Sequence, residues 1–291
     1  METLVYLNGQ YLPASEAKVS VFDRGFLFAD AVYEVIPYVD GQGVELEAHL
    51  ERLQHSLAAI DLVCNAPWTE IFDRLAQQFD ASSAAAHHGH ISLSFYLQIS
   101  RGADLSRRVS PSAELSPTVF VYAQPSPPPM RRNVQDIPAV SVVLMPDIRW
   151  GRCDIKSTML LPNILARQTA MKAGAEEALL VRDGYVIEGS SSNLFCVHEG
   201  ELYTPPLGEQ MLGGTTRALT LTLAQALGVR VHEQAITEAF CLAADEVWIT
   251  SSSRGVLPVV MVDGKSIGHG QKGAVWEQVA RAYQQHLYES D

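Results

Sequence analysis

Short apolar runs separated by turn-forming dipeptides fill the first part of the chain, a pattern typical of antiparallel strands. The dipeptides at residues 8–9 (Asn-Gly) and 40–41 (Asp-Gly) accept the positive φ of a tight turn, and each has apolar runs on both sides. Leucine or isoleucine at positions 50, 53, 57 and 60 marks one face of a helix. The pattern predicts hairpins at residues 4–12 and 31–46, a helix at 47–60, and strands at 91–100 and 118–124.

Residues 124–133, QPSPPPMRRN, contain four prolines within five residues. Proline cannot continue a helix or donate to a strand ladder, so this segment predicts a stiff, extended linker. We place a small N-terminal α+β domain at residues 1–124, a proline-rich interdomain linker at 125–133 and a larger C-terminal α/β domain at 134–291. In the second domain, the same reasoning predicts helices at 162–173 and 215–227 and strands at 139–145, 178–181, 185–187, 247–250 and 259–262.

Composition and charge narrow the class of protein. The 291 residues are 47% hydrophobic and 19% charged, as in an ordinary globular protein, and contain no apolar run long enough to span a bilayer. A net charge of −12 opposes capture of a phosphate backbone, so we expect neither a membrane nor a nucleic acid as partner. The four cysteines lie too far apart for a zinc site, and no metal is expected. The N-terminal residues lack the pattern of a secretory signal, which predicts a cytoplasmic protein.

Glycine and hydroxyl-bearing residues gather in two segments that core packing does not explain. Residues 213–216 (Gly-Gly-Thr-Thr) precede the second predicted helix, and residues 250–253 (Thr-Ser-Ser-Ser) follow an apolar strand. Glycine lets a ligand approach closely, and the first N–H groups of a helix attract an anion. The two segments indicate a site for a small anion such as phosphate, although ordinary helix capping by threonine also explains the first.

Two charged residues lie close to predicted strands. Glu188 follows the apolar run at 185–187 and precedes small residues that leave room for a flat ligand. An unpaired buried carboxylate is costly, so Glu188 should face a cation or a protonated heterocycle nitrogen, or else lie in solvent. Lys156 lies between a strand and a helix, where its amine is a candidate for covalent catalysis and a surface lysine is the alternative.

Five segments, taken in order, resemble the motifs of the class IV (fold-type IV) pyridoxal-phosphate aminotransferases, and most closely those of the D-amino acid aminotransferases. They are DRGFLFADAVYEV at residues 23–35, HLERL at 49–53, RWGRCDIKS at 149–157, EGSSSN at 188–193 and GGTTR at 213–217. The similarity extends over nearly the whole chain. It implies an α+β, two-domain fold-type IV enzyme that holds pyridoxal 5′-phosphate between its domains and acts as a homodimer.

The resemblance also implies roles for single residues at the cofactor. Lys156 would carry the cofactor covalently and move a proton between the substrate Cα and the cofactor C4′. Glu188 would pair with the protonated pyridine nitrogen, and Arg52 would contact the phosphate. The further residues expected at the cofactor are Ser190, Ser191, Ser192, Asn193, Leu212, Thr215, Thr216, Ser251 and Ser252.

The resemblance is broken at the residues that would hold the substrate carboxylate. Tyr33 matches a tyrosine that helps to hold this carboxylate in the D-amino acid enzymes. Those enzymes also use an arginine and a histidine, two residues apart, in a loop after an Arg-Gly pair, and the loop here, RGADLSRRVSP, breaks that pattern. We expect Arg107 or Arg108 to supply the cation, with Arg24 or Arg101, or a different substrate, as the alternatives.

The activity implied by the resemblance is a ping-pong transamination from D-alanine or D-glutamate to 2-oxoglutarate or pyruvate. Aminodeoxychorismate lyase, which shares the fold and the lysine, is one alternative. A branched-chain L-amino acid aminotransferase is another. A non-catalytic anion-binding protein is the third, but it would leave the co-occurrence of all five motifs unexplained.

Overall fold

The computed structural model describes residues 2–79, 86–87, 90–112, 114–129 and 133–288, so residues 130–132 of the predicted linker lie outside the described residues. The chain forms two compact units, Met1–Pro128 with Ile155–Met159, and Pro129–Asp154 with Leu160–Asp291. The segment Ile155–Met159 falls inside the domain predicted at 134–291 but packs in the first unit. A boundary drawn at one point along the sequence cannot anticipate a segment that returns to an earlier sheet.

The first unit consists of an antiparallel sheet and short helices. In chain order, its described elements are β1 Leu4–Leu7, β2 Gln10–Pro13, α1 Arg24–Phe28, β3 Ala31–Val39, β4 Gln42–Gly43, α2 Leu46–Ala59, α3 Trp68–Ala76, β5 Ala86–His87, β6 His90–Ser100 and β7 Thr118–Pro125. The strands are ordered β2-β1-β7-β6-β3-β4, and β5 lies beside β6.

Both hairpins are present, but the second is shorter than predicted. In the first, Tyr6 pairs with Tyr11 across the turn at residues 8–9. In the second, only Gln42–Gly43 pairs back onto β3, and the strand predicted at 44–46 was wrong. Glu45 adopts a left-handed conformation, with φ 51°, which ends the extended chain and lets α2 begin at Leu46.

Helices α2 and α3 supply the apolar side chains that bury the inner face of this sheet. Leu53 and Phe72 are completely buried in one cluster with Val32 and Ile36 of β3. Each such side chain contributes about 1.5–3 kcal/mol by leaving water. Because successive residues of a strand point to opposite faces, Tyr33 is directed to the face away from the helices.

The second unit consists of a larger mixed sheet with helices, preceded by a 3₁₀ turn at Val134–Asp136. Its described elements are β8 Val140–Pro146, α4 Leu161–Lys172, β9 Glu177–Arg182, β10 Tyr185–Gly189, β11 Asn193–His198, β12 Glu201–Thr204, α5 Thr215–Ala226, β13 Val231–Glu233, β14 Ile236–Thr237, α6 Glu238–Leu242, β15 Glu246–Ser251, β16 Gly255–Val262, β17 Lys265–Ser266 and α7 Ala274–Tyr288. The strands are ordered β13-β12-β11-β15-β16-β8-β9-β10-β14, and β17 lies beside β16.

Helix α7 was not among the predicted elements, and it completes the core of the second unit. Trp276 and Tyr283 of α7 are buried in one cluster with Trp248 of β15. The Glu246 carboxylate accepts hydrogen bonds from the backbone N–H groups of Val275 and Trp276, at 2.9 and 2.8 Å, and so caps the helix from β15. Within the described ranges, no helix is long and apolar enough to cross a membrane.

Candidate active site

The backbone around Lys156 runs beside β3 in the first unit. The Tyr33 N–H donates to the Lys156 carbonyl at 2.9 Å, and the Lys156 N–H donates to the Ser56 hydroxyl at 3.1 Å. The Lys156 ammonium nitrogen lies 4.3 Å from the centre of the Tyr33 ring. The structure therefore brings together Lys156 and Tyr33, the predicted attachment lysine and the predicted substrate-binding tyrosine.

A buried charge cluster lies on the opposite face of β3. The Arg52 guanidinium donates two hydrogen bonds of 2.8 Å to the fully buried Glu34 carboxylate, and His49 Nδ1 lies 2.7 Å from the same carboxylate. Burial alone would raise the pKa of Glu34, but Arg52 and His49 lower it to about 2. Burial is also the main cause of a lowered pKa at His49. The phosphate contact predicted for Arg52 stays a prediction, and the structure shows that its guanidinium is engaged by Glu34.

Both alternative cations for the substrate carboxylate have structural partners in the first unit. The buried Arg24 side chain donates to Asp30 and to the carbonyls of Arg108 and Val109, at 2.8, 2.8 and 2.7 Å. Arg101 donates to the same Asp30 carboxylate at 2.8 Å and to the Ile60 carbonyl at 2.6 Å. Arg24 thus holds the backbone of the RGADLSRRVSP loop in place.

The two arginines preferred by the sequence have exposed side chains. The Arg107 guanidinium lies 5.5 Å from the centre of the Phe28 ring, and Arg108 Nε lies 3.3 Å from the Ser106 hydroxyl. These contacts leave both side chains accessible at the surface of the chain. A carboxylate-binding role for either one stays a prediction.

Glu188, at the end of β10 in the second unit, is buried and has several partners. Arg149 forms an ion pair with it, and the Asn193 side-chain amide donates to it at 3.1 Å. The Leu212 N–H also donates, at 3.2 Å to one carboxylate oxygen. Burial raises the pKa of Glu188 to about 7, while Arg149 opposes the rise. The solvent alternative for Glu188 is thereby excluded, and the side chain faces a cation as the sequence predicted.

Arg149 is itself fixed by a second buried carboxylate. Its Nε and one of its terminal nitrogens donate to Asp147 at 2.9 Å each, and Arg182 donates to Asp147 at 2.9 Å as well. These bonds raise the pKa of Arg149 above its ordinary range despite burial. The row Arg182, Asp147, Arg149 and Glu188 alternates in charge, so no member is left as a lone buried ion.

The N-terminus of α5 combines small residues with hydroxyl groups. Its cap, Gly214, has no side chain, because a Cβ there would lie 2.0 Å from the Asn193 Oδ1 atom. The first turn of α5 contains no acidic residue, and the Thr215 hydroxyl lies 3.3 Å from that of Ser252. Thr216 is buried in the same turn. This end of the helix therefore has the geometry and polarity of an anion site.

The serines after Glu188 face a carboxylate that the sequence did not single out. The hydroxyls of Ser190, Ser191 and Ser192 all donate to the fully buried Glu177, at 2.9 Å for Ser191 and 3.4 Å for Ser192. Arg254 donates to the same carboxylate at 3.1 Å. The cofactor contacts predicted for these serines stay predictions, and their hydroxyl protons already have an acceptor.

Some of the residues that build the site were missed by sequence reasoning although their segments were quoted. Glu34, His49 and Arg149 stand inside three of the five recognised motifs, so a signal was present and only their roles were missing. Thr250 stands in the hydroxyl-rich segment 250–253, whereas Asp147 carried no comparable signal. Thr250 is buried, and its hydroxyl has no hydrogen-bond partner among the described residues.

The close approach of Gly214 to Asn193 leads to a prediction about stability that compares two neighbouring glycines. The Gly214→Ala substitution should destabilise the folded protein by about 1–3 kcal/mol, because the new methyl group overlaps Asn193. The control is Gly213→Ala, whose Cβ would meet only Leu207 at 3.7 Å and should change little. Denaturant unfolding of both variants checks this, and equal effects at the two positions would contradict it.

The Glu34 cluster should make the free energy of unfolding depend on pH in acid. The folded-state pKa of Glu34, about 2, lies below the ordinary value of 4.5, so its contribution is complete above about pH 4.5 and is lost as the pH falls towards 2. The contribution is on the order of 3 kcal/mol. Unfolding free energies measured from pH 6 to pH 2.5 should fall less steeply for Glu34→Gln than for the wild type. The exposed control Glu51→Gln should follow the wild-type profile, and a Glu34→Gln slope equal to it would refute the prediction.

Comparison with known proteins agrees with this geometry. The family model for "Amino-transferase class IV" matches residues 31–262. The D-alanine aminotransferase of Bacillus licheniformis is 37% identical over 280 residues, which cover 96% of this chain and 95% of the relative. That of Staphylococcus haemolyticus is 34% identical over 285 residues, 98% of each chain.

Solved structures show the same fold. The branched-chain aminotransferase from the archaeon Thermoproteus uzoniensis, crystallised with norvaline, superposes with a TM-score of 0.83 at 25% identity, over 100% of this chain and 96% of that one. The branched-chain enzyme of Escherichia coli also gives 0.83, at 23% identity and 95% coverage of that chain, which shows the fold alone. The predicted α+β fold-type IV architecture and the predicted aminotransferase activity are confirmed. The chain belongs to the class IV aminotransferases.

Proposed function

We propose that the protein is a pyridoxal-phosphate enzyme that transfers the amino group of a D-amino acid, such as D-alanine or D-glutamate, to 2-oxoglutarate or pyruvate. The observation that carries the proposal is the buried Glu188 carboxylate, which Arg149 and Asn193 hold in place and whose chemistry suits a protonated ring nitrogen. The similarity to D-alanine aminotransferases over nearly the full chain supports the choice of donor.

The residues present fit pyridoxal phosphate in two independent respects. The first turn of α5, with Thr215, Thr216 and the neighbouring Ser252, offers hydroxyl and backbone donors suited to the phosphate. The unpartnered hydroxyl of Thr250 lies on the strand position paired with Asn193, so it is on the same face of the sheet as the residue that holds Glu188. A polar group of the cofactor would satisfy this hydroxyl.

Lys156 is the residue that we assign to covalent attachment of the cofactor and to proton transfer at the substrate Cα. Tyr33 and Ser56 fix the lysine backbone, so that only its side chain has to move during the reaction. When bound, pyridoxal phosphate supplies an electron-accepting ring for the negative charge that develops at Cα. The amine of Lys156 would take the proton from the substrate Cα and deliver it to the cofactor C4′, which is the proton transfer of a transamination.

Glu188 has the electrostatic properties that its proposed partner needs. Burial raises its pKa to about 7, which makes the carboxylate a stronger acceptor than one in water. Arg149 opposes a larger rise, so part of the Glu188 population stays ionised at neutral pH. Glu188 can therefore hold a proton on the ring nitrogen, and Leu212, whose N–H donates to Glu188, would lie beside the ring.

The substrate carboxylate is assigned to Tyr33 with Arg107 or Arg108. Both arginines are exposed, whereas the guanidiniums of Arg24 and Arg101 are engaged by Asp30 and by backbone carbonyls. Arg24 has a supporting part, because it fixes the loop that carries the two exposed arginines. The homodimer and the cytoplasmic location implied by the sequence belong to the same proposal.

The visible spectrum of the purified protein, with pyridoxal phosphate added, tests the proposed function. D-alanine should bleach the band of the bound cofactor, and L-leucine should not. Bleaching by L-leucine alone would move the assignment to the branched-chain group, which the structural similarity also brings into consideration. A band that neither amino acid changes would favour the lyase.

Lys156 should be indispensable for this reaction. The Lys156→Ala variant should lose the band shift with D-alanine and at least about 10²–10⁴-fold in turnover, since the proton-transfer group is gone. The exposed lysine at the end of α4, changed as Lys172→Ala, provides the control and should behave as wild type. Full turnover in Lys156→Ala would rule out the mechanism.

The arginine loop should act on substrate binding rather than on the chemical step. If one of the two arginines binds the carboxylate, Arg107→Gln or Arg108→Gln should raise the KM for D-alanine by about 10–100-fold, the value of one charge-assisted hydrogen bond. The kcat should change much less. Steady-state kinetics of both variants, with the surface variant Arg281→Gln as control, decide between them. Unchanged KM values in both would refute the assignment.

A further inference from the structure

Glu177 is a fully buried carboxylate at the start of β9 to which neither the motifs nor the proposed chemistry gives a role. Three serine hydroxyls and the Arg254 guanidinium converge on it. Arg167 adds a longer ion pair at 3.5 Å. Such convergence is needed because a carboxylate that leaves water without partners costs several kcal/mol.

The side chains that donate hydrogen bonds to Glu177 come from two separate loops. Ser190, Ser191 and Ser192 belong to the turn that joins β10 to β11, directly after Glu188. Arg254 belongs to the turn between β15 and β16, which also carries Ser252, the hydroxyl next to Thr215 of α5. One carboxylate therefore ties the loop beside the proposed ring-nitrogen acceptor to the loop beside the proposed phosphate site.

The serine turn packs closely against Glu177. A Cβ at Gly189 would lie 2.1 Å from the Ser192 hydroxyl oxygen and 3.3 Å from Glu177 Cγ, so the turn closes tightly over the carboxylate. The Gly189 N–H also donates to the Ser192 carbonyl, at 2.6 Å, and the Ser190 N–H to the Ala178 carbonyl, at 2.8 Å. The serine turn is thus anchored both through its backbone and through its side chains.

The hydroxyl protons near Glu177 show which groups remain free to donate to a ligand. A serine hydroxyl has one proton to donate, and each of the three serine hydroxyls has an oxygen of Glu177 within 3.4 Å. A hydroxyl that donates to Glu177 cannot at the same time donate to a phosphate. The function of the three hydroxyls in the structure is to orient the turn, while donation to an anion is left to the segments at Thr215 and Ser252.

We propose that Glu177 is a positioning residue that sets the distance between the loop following Glu188 and the loop carrying Ser252, and so fixes the span over which the cofactor is held. The proposal rests on the proposed use of pyridoxal phosphate. Glu177 acts through the two loops and does not itself touch the cofactor.

The test compares two neighbouring glutamates in the cofactor-free protein. In Glu177→Gln the amide keeps one acceptor and replaces the other by a donor that faces Arg254 or the serines, which already donate. The control is Glu176→Gln, whose side chain is 58% exposed and pairs with Arg167 only at 3.7 Å. Calorimetric titration with pyridoxal phosphate, and separately with inorganic phosphate, measures the dissociation constants, and thermal unfolding of the cofactor-free proteins measures stability.

Glu177→Gln should weaken pyridoxal phosphate binding at least tenfold, while the control binds as wild type. At saturating cofactor, its turnover should return to within about threefold of wild type, because the residues that touch the reacting atoms are unchanged. Arg254→Gln, at a side chain that is 27% exposed, is the milder second variant and should weaken binding in the same direction. It keeps the proposal testable where Glu177→Gln does not fold.

Two results would overturn the proposal in distinguishable ways. A Glu177→Gln or Arg254→Gln protein that is less stable but binds pyridoxal phosphate as tightly as wild type would show that the cluster only stabilises the fold. Failure of the wild type to bind pyridoxal phosphate would overturn the proposed function itself, and the inference with it.

Discussion

The Glu188 carboxylate is buried, and charged side chains of the second unit are arranged around it. Burial raises its pKa to about 7 even with Arg149 beside it, so without that guanidinium the side chain would be protonated at neutral pH. Arg149 opposes this, and Asp147 in turn fixes Arg149. The alternation of charges makes one partly ionised carboxylate tolerable at the end of β10, where a ring nitrogen would need it.

Two other buried carboxylates of this fold are also paired with a guanidinium. Glu34 is enclosed by Arg52 and His49, and Glu177 by serine hydroxyls and Arg254. Glu34 and Glu188 nevertheless differ in pKa, about 2 against about 7. The bidentate guanidinium at Glu34 exceeds the effect of burial, whereas the single ion pair at Glu188 does not. The number and geometry of the donors therefore decide which carboxylate serves structure and which is poised to accept a proton.

Local signals allowed much of the fold to be predicted from the sequence. The Asn8-Gly9 turn, and helix α5 with Gly228 in a left-handed conformation beyond its end, follow from neighbouring residues alone. Helix α7 was not predicted, although Trp276, Val279 and Tyr283 recur at helical spacing. Its cap had no local signal, because it comes from Glu246, 30 residues before Trp276. The site shows the same division. Lys156 and Glu188 stand in motifs. The role proposed for Glu177 depends on a contact with Arg254, which is 77 residues away in the sequence.

The RGADLSRRVSP loop departs from the family pattern. It shows how contacts with distant residues can affect substrate binding. The backbone of RGADLSRRVSP is held by the buried Arg24, through the carbonyls of Arg108 and Val109. The loop's own Asp104 also holds it, by accepting hydrogen bonds from the N–H groups of Ser106 and Ser112, at 2.9 Å each. Side chains that take no part in these bonds can change without loss of the loop conformation. The adjacent Arg107 and Arg108, which do not reproduce the family's spacing of two residues, can therefore still project from one defined loop. A guanidinium remains charged at every relevant pH, so carboxylate binding through Arg107 or Arg108 would not depend on a histidine proton.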